Sequence, residues 1–73
     1  MGWGVFKITL RKSGYKKVKS MLKESGYDVS SPRGGPLSST KDVIVQGARE
    51  KLANGLELLK HRNYIISYEL IPA

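Results

Sequence analysis

Apolar and polar positions alternate with period two through residues 3 to 11, setting Phe6, Ile8 and Leu10 on one face and Trp3, Val5, Lys7, Thr9 and Arg11 on the other. Such a segment predicts a half-buried strand. Beyond it the period becomes helical: Tyr15, Val18 and Leu22, with Met21 at the margin, share one side between Ser13, the expected N-cap, and Gly26, the expected left-handed terminator. Tyr27 to Ser30 read as a short strand, Ser31 to Pro36 as a turn rich in Gly and Pro, and Leu37 to Ser39 as a short returning strand. Residues 27–39 then form a weak hairpin with a mobile tip. Ser39 or Thr40 is expected to cap a second helix, with Asp42 in its first turn. Its apolar side would comprise Ile44, Val45, Ala48, Leu52, Gly55, Leu56 and Leu59. On that stripe Gly55, a costly residue inside a helix, is expected to permit close approach to the sheet. Residues 64–71 are rich in β-branched and aromatic side chains and predict a last strand, with Tyr64, Ile66, Tyr68 and Leu70 facing the helices and Ile65 on the open side near Trp3.

This order predicts an α+β fold: a small two-layer sandwich with two helices on one face of a 3–4 stranded antiparallel sheet, ferredoxin-like or split βαβ, in the order βα(ββ)αβ. If the central hairpin does not form, a smaller βα(β)αβ domain remains. The 73 residues suffice for one domain, 1–73, with a flexible Ser/Pro/Gly loop at about 30–40. Without cysteine, the core alone must hold it. No apolar run approaches the length of a membrane span and the start lacks the pattern of a secretory signal, so a cytoplasmic location is expected.

Charge changes the picture. The net charge is +7, and residues 1–36 hold eight basic and two acidic side chains against five and four in residues 37–73. Lys7, Arg11, Lys12, Lys16, Lys17, Lys19 and Lys23 precede the first acid, Glu24. Lys12, Lys16, Lys19 and Lys23 are spaced four, three and four apart, one narrow stripe of a helix. Like charges at that spacing repel, and no neighbouring carboxylate offsets them. At 1.5 Å per residue the stripe spans about 16 Å, the reach of two or three successive phosphates.

Candidate catalytic chemistry is thin. The single His61 lies in the basic last turn of the second helix, where it complements the dipole, and the six acids are dispersed. No cofactor or metal is expected, because cysteines are absent and no second histidine exists. Arg33-Gly34-Gly35 lacks the spacing of a phosphate loop and reads first as a turn. Trp3 with Lys7 and Arg11 offers a base-stacking face, but the aromatic, glycine-rich strand signature of the RNA-recognition module is missing.

The expectation is a non-enzymatic, basic regulatory protein that binds nucleic acid, DNA or RNA, through Lys7, Arg11, Lys12, Lys16, Lys17, Lys19 and Lys23, with Arg33 and Trp3 as further contacts. The alternative is a protein-docking modulator, for example a phage-type inhibitor or adaptor, whose cations meet an acidic protein surface of a nucleic-acid-processing complex such as RNA polymerase. Membrane-surface binding ranks lower, since the apolar side of the first helix is committed to the core.

Overall fold

The computed structural model describes residues 2–34 and 38–72. Its elements are β1 (Trp3–Arg11), a 3-10 turn (Lys12–Gly14), α1 (Tyr15–Glu24), β2 (Asp28–Val29), β3 (Thr40–Ala48), α2 (Arg49–His61) and β4 (Ser67–Leu70). The strands form one antiparallel sheet in the order β2-β3-β1-β4. Two helices and a four-stranded antiparallel sheet make a small α+β domain.

The central pair sets the register. β1 and β3 are matched over nine positions, from Trp3 opposite Ala48 to Arg11 opposite Thr40, so Phe6 and Ile8 stand beside Val45 and Val43 on the helix-facing side. Leu10 continues that row. The helices bring Val18 and Leu22 from α1 and Leu52 and Leu56 from α2, and these residues with Ile65 complete the buried core.

Both helices end alike. After α1, Gly26 takes a positive φ of 89° and the Tyr27 amide reaches back to the Leu22 carbonyl at 3.1 Å. After α2, Asn63 takes φ 66° and the Tyr64 amide donates to the Leu59 carbonyl at 2.9 Å. The left-handed residue followed by a bond spanning six residues is the Schellman arrangement, which satisfies carbonyls that the helix end would orphan. It also folds Tyr27 and Tyr64 back beside the helices they terminate.

Several sequence expectations are corrected. Residues 40–48 are a strand, not the start of the second helix. Val43, Val45 and Gly47 are buried in alternation, and the consecutive β-branched residues Val43, Ile44 and Val45 favour the pleated surface over a helix. Their apparent helical match arises because Ile44, Val45 and Ala48 fall in phase with the true α2 stripe of Leu52 and Leu56. Neither Ser39 nor Thr40 caps α2; the helix springs directly from β3, with Ala48 at its N-cap and the Arg49 amide donating to the Gly2 carbonyl at 2.8 Å. The strand that returns from β2 is therefore β3 itself. Of the expected strand at 37–39, Leu37 lies outside the described residues, and Ser38 and Ser39 are not in a strand.

Ser13 is part of the 3-10 turn, and Gly14 rather than Ser13 occupies the N-cap of α1, without a side-chain cap bond. The last strand is shorter than the predicted 64–71; Tyr68 and Leu70 stand opposite Ile8 and Phe6 on the helix-facing side and Tyr64 packs on the core as expected, but Ile65 and Ile66 are exchanged, Ile65 being buried while Ile66 is 43% exposed. Gly55 does not serve close packing on the sheet, since a Cβ there meets no atom within 4 Å. Packing requires glycine instead at Gly47, where a Cβ would drive into the Tyr27 ring, and at Gly4, where it would meet Arg49.

Gly47→Ala should therefore cost about 1–3 kcal/mol, the usual range for overpacking, measured by urea unfolding. In a Tyr27→Leu background the penalty should shrink. An equal penalty in both backgrounds would assign it to the strand backbone instead.

Candidate polyanion interface

The amphipathic helix α1 turns Val18 and Leu22 to the core, which directs Lys16 and Lys23 to the opposite, solvent side. Lys16, Lys19 and Lys23 line one shallow depression with Tyr15, Ser20 and Glu24. Lys19 leans toward Tyr15, its ammonium 5.6 Å from the ring centroid. Lys17 diverges from this group and sits 5.0 Å from the centre of the Tyr64 ring. Such cation–ring contacts orient an ammonium without neutralising it.

Lys12 precedes the α-helix, in the 3-10 turn, where its amide donates to the Ser39 carbonyl at 2.9 Å. With Arg11, Ser13, Ser39 and Thr40 it borders a neighbouring open cleft. The Arg11 guanidinium donates to the Asn63 carbonyl at 3.3 Å, so part of its donor capacity is spent within the fold.

The remaining candidates lie elsewhere. Lys7 is on the open sheet face, where its ammonium meets the Glu69 carboxylate at 2.9 Å, the one ion pair among the described residues. Trp3 is also on that face, 65% exposed, with its indole N–H donating to the Gln46 side chain at 3.3 Å. Arg33 belongs to the sheet margin, exchanging two backbone hydrogen bonds of 2.8 Å with Asp42. The Asp42 carboxylate accepts a bond of 2.8 Å from the Thr9 hydroxyl.

The fold sorts charge by layer as unevenly as the sequence sorts it by half. Residues 12–24 and 49–62, which form the helical layer, carry nine basic and three acidic side chains; the strands and the connection between β2 and β3 carry four and three. Lys51, Lys60 and Arg62 add to the helical layer from α2. Asp28, Asp42 and Glu69 balance the sheet.

A second feature escaped the sequence altogether: a groove of about 440 Å³ between α1 and α2, reaching from Met21 and Tyr27 to Leu59 and Tyr64. The helices pack chiefly on the sheet, which leaves the seam between them open. His61 is exposed at the end of α2, and among the described residues no three His, Asp or Glu side chains converge as metal ligands would. No helix among the described residues is long and apolar enough to cross a membrane.

Two protons are held more tightly than usual. The hydrogen bond from Lys7 to Glu69, with their charge attraction, raises the ammonium above its ordinary 10.5. Burial, followed by the hydrogen bond to Glu57 at 3.1 Å, raises the Tyr68 phenol above 10.0. The unfolded chain releases both protons first, so their contribution is fully present below about pH 10 and is lost as pH climbs through the folded values. Urea midpoints should decline above pH 10, less steeply in Glu69→Gln, and a rise in that window would contradict the assignment. Compared with protein-family models, curated proteins and solved structures, the chain gives no match.

Proposed function

We propose that this chain is a non-enzymatic nucleic-acid-binding accessory protein of ferredoxin-like, split βαβ architecture, which seats the lysines of its helical layer on successive phosphates. The strand order β2-β3-β1-β4, with α1 joining β1 to β2 and α2 joining β3 to β4, supports the architectural part. The observation that carries the functional part is a contrast between faces. Lys7 on the sheet is neutralised by Glu69, whereas Lys12, Lys16, Lys19 and Lys23 have no carboxylate within ion-pair distance among the described residues.

A polyanion brings such cations what the fold withholds, and the entropy of released counterions drives the association. Lysine is a point charge on a flexible stem, without the planar fork that reads guanine edges, so the face suits backbone contact more than base choice. The open sheet, where RNA-recognition modules stack bases, is a poorer candidate here. It carries one exposed aromatic side chain, Trp3, and balanced charge.

Fluorescence anisotropy with short single strands and duplexes tests the reading. Affinity should fall steeply between about 50 and 200 mM salt, with a logarithmic slope near −3 to −4 if about four phosphates are engaged on duplex DNA. Each Lys→Gln change at 16, 19 or 23 should reduce that slope by about one. Lys16→Glu, Lys19→Glu and Lys23→Glu combined should abolish retention with an unchanged circular dichroism spectrum. Retention equal to that of the parent protein would refute the proposal.

A further inference from the structure

On α2, Lys51, Gly55, Leu58 and Arg62 are spaced four, three and four residues apart and form one line along the groove that separates the two helices. Lys51 and Arg62 stand about 16 Å apart at its two ends. Between them the floor is apolar, built from Met21, Tyr27, Leu59 and Tyr64, and Leu58 on the rim is 49% exposed. No acidic residue lines it.

Gly55, at the middle of this line, has no explanation inside the fold. Its φ is not positive and a Cβ would touch nothing within 4 Å, yet glycine there weakens the helix relative to alanine. What the missing side chain does create is a notch in the wall of an apolar groove.

We infer that the groove between α1 and α2 docks an acidic amphipathic helix from a partner protein, one of whose apolar anchors enters the notch at Gly55 while flanking carboxylates meet Lys51 and Arg62. A helix in a groove is recognised through apolar anchors at i, i+3 or i+4, and i+7, which matches a floor of this length. Charge selects the occupant. The helical layer carries nine basic against three acidic side chains, which repels a second copy of this chain and favours an acidic segment. Nucleic acid suits the outer lysines of α1 better than an apolar trough. This inference goes beyond the phosphate-binding face, and the Lys16, Lys19 and Lys23 variants leave the groove intact, so either reading can fail without the other.

The probe is a synthetic peptide of about 18 residues, long enough to pass both end cations, with Leu or Phe at the anchor spacing and Glu elsewhere. An amide-shift titration should move residues 21–27 and 51–64, with affinity about tenfold or more above that of a scrambled peptide of equal composition. Gly55→Ala should raise the melting temperature by a few degrees, about what its helix propensity predicts. Gly55→Leu fills the notch and should lower peptide affinity about tenfold or more. Leu58→Glu, at an exposed position, provides an independent loss of binding should Gly55→Leu fold poorly. The inference is overturned by no shifts at millimolar peptide, by equal binding of the scrambled sequence, by shifts centred on Lys16, Lys19 and Lys23, or by an oligonucleotide occupying the groove in preference to the peptide.

Discussion

The nine-residue antiparallel match between β1 and β3 is the constraint on which the remaining structure depends. It joins segments some thirty to forty-five residues apart, gives Phe6, Ile8, Leu10, Val43 and Val45 a common face, and provides the surface that neither helix finds elsewhere. A ten-residue helix such as α1 is marginal alone in water, and its uncompensated lysines make it more so. Burial of Val18 and Leu22 on the ladder is what makes it worth forming. For a chain of 73 residues, with total stability of about 4–11 kcal/mol, any one of these core side chains is a large share.

What could be read in the sequence was what local pattern decides. The alternation of β1, the buried face of α1, the glycine turn at Gly26 and the later stripe of α2 are each contained within one element, so period and turn chemistry were sufficient. The segment 40–48 was not of that kind. Val43 and Val45 belong to a strand because Ile8 and Phe6 lie opposite them, and Gly47 is needed because Tyr27, twenty residues earlier, occupies the space above it. Ile65 enters the core for a similar reason, since its phase is fixed by Ile66 donating to the Thr9 carbonyl before β4 begins.

The candidate interface divides in the same way. Lys16, Lys19 and Lys23 were legible because helical spacing alone groups them. That Lys7 would find Glu69, and that Lys51 and Arg62 would bracket a groove, depended on which strands became neighbours and where the second helix started. The result is a molecule whose two broad sides differ in character: a sheet surface with internally matched polar groups, and a helical surface with positive charge in excess around an apolar seam. Both proposed contacts use the second side, at separate places.

The sheet's outer strands bear on how the protein behaves when concentrated. β2 offers two residues and an isolated bridge at Arg33, and β4 four residues. An incoming chain that tried to extend the sheet sideways would gain few main-chain bonds before running out of template, while bringing another strongly cationic body alongside. Brevity at both margins thus guards an otherwise half-open sheet against fibrillar growth, without covering the exposed indole of Trp3.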